Sequence, residues 1–142
     1  MATELLRFRA FIQTADFQAV HEAPTYSHID AFNIFESRDW ERDLRDQEQW
    51  RQQGRPTCAP GFGVTDGETG HVLHLCPKLD RTIDLRWTRL ETERVLGLLT
   101  RNRKMVRIAE SLDFETVRAA VRDFMTGYED RLFPLFSGSP GP

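Results

Sequence analysis

The chain has 142 residues, of which 39% are hydrophobic and 29% charged, and its formal net charge is −3. This length fits one domain with a core that needs no disulfide or metal, and the composition excludes a disordered or fibrous chain. No apolar run reaches the length of a membrane span and the first residues carry no export pattern, so we expect a cytoplasmic protein. We interpret residues 1–136 as a single α+β domain and the Gly/Ser/Pro-rich residues 137–142 as a disordered tail.

The first part of the chain predicts two strands and a helix. Apolar residues alternate with polar ones over residues 4–14, which is the period of a half-buried strand, and a polar connection containing Pro24 follows. Residues 28–35 carry apolar side chains on both faces, and we interpret them as a second strand. Ser37 has the short oxygen acceptor of an N-cap and predicts a helix that runs to about Gln53.

The middle of the chain predicts an antiparallel meander. Short strands are indicated at residues 61–65, 71–76 and 81–88. The segment from Asp66 to Gly70 has the composition of a hairpin turn, because its glycines can adopt positive φ. We therefore expect neighbouring strands here to pair in chain order.

The last part of the chain predicts helices. Residues 91–101 are interpreted as a helix, and residues 103–110 fit either a strand or a helical turn. Asp113 is a candidate N-cap for an amphipathic helix that closes at Gly127. The order of elements favours the α+β class, with an antiparallel sheet of about four to five strands packed by two to three helices.

A metal site is the first candidate for chemistry. His71, His74 and Cys76 are close in sequence, and Cys58 is the second cysteine. On a strand His74 and Cys76 share one face while His71 points to the other, and a second half-site with zinc spacing is missing. We predict no metal and no cofactor, and we place His74 and Cys76 on the inner face of the sheet. A disulfide between the two cysteines stays open, although the cytosol keeps thiols reduced.

Catalysis has no linear signature in this chain. The sequence lacks a Gly-x-Ser-x-Gly elbow, and Gly61 and Gly63 are not followed by the ending of a phosphate-binding loop. A small enzyme or ligand-binding domain remains an alternative, because an antiparallel sheet can form a pocket without a motif. Such a pocket would be lined by Tyr26, His28, Arg86 or Trp87.

Two segments are candidate partner-binding surfaces. The predicted helix at residues 37–53 is mostly charged and presents Trp40 and Trp50, and tryptophan is a favoured interface anchor. Residues 81–107 hold eight basic and three acidic groups. The candidate binding residues of that segment are Arg101, Arg103, Lys104 and Arg107.

This profile is similar in type to that of bacterial toxin-immunity proteins, which are small, mildly acidic and α+β and lack catalytic signatures. The similarity assigns no residue. Our first hypothesis is therefore a protein-binding module that neutralises or regulates a partner protein, with catalysis disfavoured. The second is the small enzyme or ligand-binding domain, and the third is nucleic-acid binding through residues 81–107.

Overall fold

One antiparallel sheet with helices packed on one of its faces forms the fold. The computed structural model describes residues 7–17, 19–25, 27–97 and 99–136, and the predicted tail at 137–142 lies outside these ranges. The strands of the described chain are β1 (Phe8–Gln13), β2 (Ala19–Thr25), β3 (Gly61–Asp66), β4 (Val72–Pro77), β5 (Ile83–Val95) and β6 (Leu99–Leu112). They form a six-stranded sheet in the order β2-β1-β3-β4-β5-β6. The predicted α+β class with an antiparallel sheet is confirmed.

The helices come in two groups along the chain. They are α1 (His28–Ser37), α2 (Trp40–Gln52), α3 (Phe114–Met125) and a C-terminal 3-10 helix (Glu129–Phe136). The inner face of the sheet packs against α1, α3 and the 3-10 helix, as ring contacts show: Phe62 with Phe35, Phe8 with Phe124, and Trp87 with Phe136. The core lies between these two layers.

The best-predicted helix is α3. The side chain of Asp113 accepts a hydrogen bond from the backbone N–H of Thr116, as an N-cap does. Its buried residues are Val117, Ala120, Val121 and Phe124, which follow the helical spacing. Gly127 adopts a φ of +88° directly after the helix, a conformation that favours glycine. Both predicted ends of this helix are confirmed.

The predicted meander is also confirmed. β3, β4 and β5 pair with one another in chain order, with Val64 opposite Leu73 and Leu73 opposite Trp87. Between β3 and β4 the chain turns at Asp66–Gly70, where the N–H of Gly70 donates to the carbonyl of Asp66.

The predicted strand at residues 28–35 is wrong, because the segment is helix α1. Ser27 caps it by accepting a hydrogen bond from the N–H of Asp30. Ala31, Phe32 and Phe35 are buried on the core side while Ile29 is exposed, so the apolar residues form a helical stripe and not two strand faces. The predicted cap at Ser37 is likewise wrong, since Ser37 ends α1 and Asp39 caps α2.

The predicted helix at residues 91–101 is wrong as well. Residues up to Val95 continue strand β5, and Leu99 begins strand β6. The alternative left open for residues 103–110 is settled in favour of a strand. The backbone hydrogen bonds of a long β5–β6 hairpin satisfy both segments, and this pairing outweighs a weak local helical pattern.

The connection that contains Pro24 is the edge strand β2. It pairs with β1 alone in the sheet order, at one end of the sheet. Proline lacks a backbone N–H and is tolerated at such an edge, because only one side of the strand needs ladder hydrogen bonds. This strand adds an edge to the sheet that the local sequence did not indicate.

Candidate functional site

The long hairpin of β5 and β6 extends beyond the rest of the sheet. β4 pairs with β5 only as far as Thr88, which lies opposite Val72. From Arg89 opposite Met105 to Val95 opposite Leu99, seven further residue pairs join β5 and β6 alone. At the usual rise per strand residue this projection spans roughly 20 Å. We call residues 89–105 the β5–β6 arm.

The tip of the arm presents an apolar side chain. Leu96 and Gly97 both adopt positive φ, of 57° and 72°. This conformation is natural for glycine but uncommon for leucine. Leu96 is 92% exposed. The turn therefore holds a large apolar side chain in solvent at the tip of the arm.

The predicted basic cluster is divided between the two faces of the arm. Arg107 lies opposite Trp87 and Arg103 opposite Glu91, so with Arg101 they share the inner face of β6. Lys104 lies on the outer face, opposite Leu90. The structure thus brings three of the four predicted basic residues onto one face and separates the fourth from them.

Charge is distributed unevenly between the arm and the rest of the chain. The arm contains five basic and two acidic residues, which give it a formal charge of +3. Since the whole chain carries −3, all other residues together carry −6. The basic groups are therefore concentrated in the arm, while the rest of the chain is acidic.

The base of the inner face is a packed platform of arginine and aromatic groups. The Arg89 guanidinium lies 4.7 Å from the ring centroids of both Trp87 and Phe133, and that of Arg107 lies 5.4 Å from Phe133. Such contacts between cations and ring faces are attractive and hold the guanidinium groups over the rings. The Nε atoms of Arg89 and Arg107 are buried without a hydrogen-bond partner.

Glu129 ties the 3-10 helix to this platform. Its Oε1 accepts a hydrogen bond of 2.8 Å from the indole N–H of Trp87 and lies 2.7 Å from Nδ1 of His71. Arg89 Nε is 3.9 Å from the same oxygen, outside hydrogen-bond distance. These contacts anchor the base of the arm to the core, so the arm projects from a fixed support.

The histidines and cysteines do not form a ligand set in the described residues, where no group of three or more metal-binding side chains occurs. His71 contacts Glu129 on the inner face of the sheet. His74 lies on the opposite face and contacts the ring of Phe11 at 5.7 Å, so our placement of His74 and Cys76 on the inner face is wrong. The buried residues of this strand are Leu73 and Leu75, which take the inner positions instead.

The two cysteines are free thiols. Cys58 accepts a hydrogen bond from the side-chain amide of Gln13 and donates one to the carbonyl of Thr14. Burial raises the pKa of Cys76 to about 11, so its thiol is protonated at neutral pH and is a poor nucleophile. In the structure Cys58 and Cys76 do not form the disulfide that the sequence left open.

The two predicted tryptophan anchors lie on the helical side of the molecule, away from the arm. Trp40 is half-buried, donates its indole N–H to the carbonyl of Phe35 at 2.7 Å, and packs against the core. Trp50 is half-buried, and its ring is covered by the guanidinium of Arg55 at 4.7 Å. Neither ring is presented to solvent as an open anchor.

Trp40 instead lines an open groove of about 540 Å³ between α1, α2 and the β4–β5 turn. The apolar wall of the groove is formed by Phe35, Trp40, Leu44, Leu79, Ile83 and Phe114. Its charged groups are Glu36, Glu41, Lys78 and Arg81. A volume of this size is in the range of small-ligand sites.

The pocket residues suggested by the sequence do not meet. Trp87 is fully buried on the inner face of β5, whereas its neighbour Arg86 is exposed on the outer face. His28 lines a small cleft with Ile29 and Arg118, and Tyr26 lies outside the described residues. The three described residues of this set, His28, Arg86 and Trp87, therefore do not line a common pocket on the sheet.

Sequence reasoning missed the β5–β6 arm. One local signal was present, because Gly97 stands inside the interpreted helix, and glycine disfavours a helix interior and favours a tight turn. The helical interpretation of residues 91–101 concealed that turn.

No family model, curated protein or solved structure matches this chain. Within the described parts of the chain, every helix is too short or too polar to cross a bilayer.

Proposed function

We propose that this chain is a protein-binding module that grips an acidic surface of a partner protein with the inner face of its β5–β6 arm. The observation that carries the proposal is the arm itself, which projects seven residue pairs beyond β4. Exposed Arg101 and Arg103 lie on its inner face, and Leu96 lies at its tip. Arginine at such a surface supplies bidentate hydrogen bonds to carboxylates, and the leucine supplies apolar contact.

Two features of the arm support a binding role. The base of the arm is anchored to the core, because Trp87 contacts Glu129 and Phe133 and the Arg89 guanidinium lies over the Phe133 ring. The charge of +3 on the arm, to which Arg94 and Lys104 contribute from the outer face, favours encounter with an acidic partner over a basic one. Neutralisation or regulation of that partner, as toxin-immunity proteins do, is the function that we assign to this surface.

The experiment compares partner capture by matched charge-reversal variants. The arm variant combines Arg101→Glu with Arg103→Glu and so reverses two positive charges on the inner face of the arm. The control variant combines Arg42→Glu with Arg45→Glu and makes the same charge change at exposed positions of α2. We expect the arm variant to recover its partner from host lysate with about tenfold lower yield or affinity, because each lost ion pair becomes a repulsion. The α2 variant should retain the partner.

The recovered protein is then purified and titrated by calorimetry against both variants and Leu96→Asp. Binding that weakens with salt, requires Leu96 and is lost only in the arm variant supports the proposal. Equal loss in both double variants, or a partner with a basic binding surface, contradicts it. An absorbance ratio that reveals nucleic acid in place of protein favours the third hypothesis.

Nucleic-acid binding is less well supported by the geometry. Arg86 and Lys104 lie on the outer face, whereas Arg101, Arg103 and Arg107 lie on the inner face. Arg107 is also 3.7 Å from a carboxylate oxygen of Glu91, which offsets part of its charge. A continuous phosphate-binding track would need these groups on one face.

The groove beside Trp40 favours small-ligand binding as a second candidate function. Leu79 lines it and is exposed, so Leu79→Asp should weaken any ligand there without disturbing the core. A ligand-observed NMR screen would compare this variant with Leu90→Asp, a matched control on the sheet. We expect the dissociation constant of any ligand found for the wild type to be about tenfold higher for Leu79→Asp than for Leu90→Asp. If the two variants behave alike, the groove is not the binding site.

A further inference from the structure

A small cleft between α1 and α3 is lined by basic and polar groups. Its volume is about 310 Å³. The lining positions stand in pairs one helical turn apart, so that each pair projects to the same side of its helix; they are His28, Ile29, Phe32, Asn33, Arg118 and Arg122. None of these residues is acidic, although both helices carry acidic groups at other positions. The cleft therefore brings two guanidinium groups to one small volume without a carboxylate among the residues that line it.

The Arg118 guanidinium is oriented by its neighbours. It lies over the rings of Phe32 and Phe114, at 5.3 and 5.8 Å from their centroids. One of its terminal nitrogens donates a hydrogen bond of 3.0 Å to a carboxylate oxygen of Glu36. A guanidinium has five N–H donors in a planar fork, so this bond uses only one of them.

Arg122 brings a second positive charge, which is offset only in part. It follows Arg118 by one turn of α3, and its contacts with the Oδ1 atom of Asp123 are 3.5 Å long. That distance is longer than an ordinary N–H···O hydrogen bond. The same oxygen lies 3.9 Å from a nitrogen of Arg131, so one carboxylate faces two guanidinium groups. Positive charge therefore remains at this end of the cleft.

From this arrangement we propose that the cleft between α1 and α3 binds a small phosphate monoester whose organic part is flat and apolar. Two guanidinium groups one turn apart can bind different oxygens of one phosphate, and the planar fork of arginine suits paired hydrogen bonds to that group. His28 and Asn33 add side chains that can donate to the remaining oxygens. Phe32 and Ile29 offer apolar surface to the organic part, and Ile29 is 61% exposed.

The size of the cleft limits the ligand. Its volume lies at the lower end of the range for small-ligand sites, so the ligand has about the size of one ring with one phosphate group. The lining shares no residue with the β5–β6 arm or with the groove beside Trp40. The proposal is therefore independent of the proposed function.

The test is calorimetric titration of the whole protein with phenyl phosphate, inorganic phosphate and phenol. Phenyl phosphate carries both the ring and the anionic group, whereas each of the other two probes carries one of them. We expect phenyl phosphate to bind about tenfold more tightly than inorganic phosphate, and phenol not to bind at concentrations up to about 10 mM. Absence of phenyl phosphate binding up to the same concentration, or equal affinity for phenyl phosphate and phenol, overturns the proposal. Equal affinity for phenyl phosphate and inorganic phosphate overturns the flat apolar part of the ligand.

Matched variants test whether the cleft is the binding site. Arg122→Gln removes a charge that lines the cleft, and Arg131→Gln removes a charge beside the same carboxylate of Asp123 but outside the lining. We expect the dissociation constant of phenyl phosphate to rise about tenfold in Arg122→Gln and to stay unchanged in Arg131→Gln. Arg118→Lys keeps the charge and loses the planar fork, so it should also weaken binding. Equal weakening in Arg122→Gln and Arg131→Gln would show a general effect of charge and would overturn the site.

A second readout locates the bound probe. On titration with phenyl phosphate, the amide NMR signals of residues 28–33 and 118–122 should shift, while those of α2 should not change. Shifts confined to other segments, such as the β5–β6 arm, would place the probe elsewhere and would overturn the proposal.

Discussion

The Arg7→Met variant is expected to lose about 2–3 kcal/mol of its free energy of unfolding at pH 7, because it leaves a buried carboxylate without its counter-ion. Arg7 forms two hydrogen bonds to Asp66, of 2.9 and 2.8 Å, and the Asp66 side chain is only 2% exposed. The Arg7 side chain is 41% exposed, so the loss falls below the range of a fully buried pair.

The expected loss depends on pH in a defined direction. Burial alone would raise the pKa of Asp66, but hydrogen bonds from Arg7, from the backbone N–H of Glu68 and from Thr69 hold it below its ordinary value of 3.8. An acid with a lowered pKa contributes stability that is present above its unfolded pKa and is lost as the pH falls through the folded one. Without Arg7, its hydrogen bonds and its charge no longer lower the pKa of Asp66, so this pKa rises and the variant should approach the wild type as the pH falls below 4.

Urea unfolding of both proteins from pH 7 down to pH 3 measures this difference. Arg45→Met is the matched control, since it removes an exposed ion pair with Glu41 on α2. The control should change the free energy of unfolding by less than about 0.5 kcal/mol. Equal losses in Arg7→Met and Arg45→Met, or a gap between Arg7→Met and the wild type that widens in acid, would contradict the expectation.

The second large effect comes from His74, which should make the wild type lose up to about 3 kcal/mol of stability between pH 7.5 and pH 4. Burial lowers the pKa of His74 from 6.5 to about 4, and the neighbouring charge of Arg86 acts in the same direction. The buried Nε2 atom has no hydrogen-bond partner. A neutral imidazole is therefore required in the folded state.

The sign follows from which state takes up the proton. Between pH 6.5 and pH 4 the unfolded chain protonates His74 and the folded chain does not, so unfolding becomes more favourable as the pH falls. Above pH 6.5 the imidazole ring of His74 is neutral in both the folded and the unfolded state, so its contribution to the free energy of unfolding no longer changes with pH. This window lies above the acidic window of Asp66, so the two effects separate along the pH axis.

His74→Gln and His74→Leu should both flatten the stability profile in this window by up to about 3 kcal/mol, because neither side chain titrates. Their absolute stabilities at pH 7.5 will differ, since one side chain is polar and the other apolar. The measurement is urea unfolding of the wild type and both variants at half-unit steps of pH. Profiles that run parallel to the wild type would show that His74 is not the group responsible.

The sequence by itself determined the elements whose signals are local. The helix α3 carries its own cap at Asp113, its apolar stripe and its closing glycine within fifteen residues. The β3–β4 hairpin has alternating strands on both sides of a glycine turn. In both cases neighbouring residues supply the hydrogen bonds and the buried face, so no distant partner is needed to identify the element.

For the candidate site, the sequence indicated only part of the surface. It identified Arg101, Arg103, Lys104 and Arg107 as a basic group. It could not assign them to faces, because residues 91–101 were interpreted as a helix and residues 103–110 fitted either a strand or a helical turn. Trp40 and Trp50 were identified by type, while their packing against Phe35 and under Arg55 depends on other segments.

Tertiary structure decided the secondary structure of those segments whose local sequence signal was weak or fitted both a helix and a strand. Residues 28–35 became a helix because Phe32 and Phe35 are buried against the sheet and α3. The β5–β6 arm formed because cross-strand hydrogen bonds pair residues 89–95 with residues 99–105, and this pairing outweighs the weak helical pattern of residues 91–101. Where the local preference of a segment is small, the burial and pairing offered by distant residues exceed it, and only the folded chain brings those residues together.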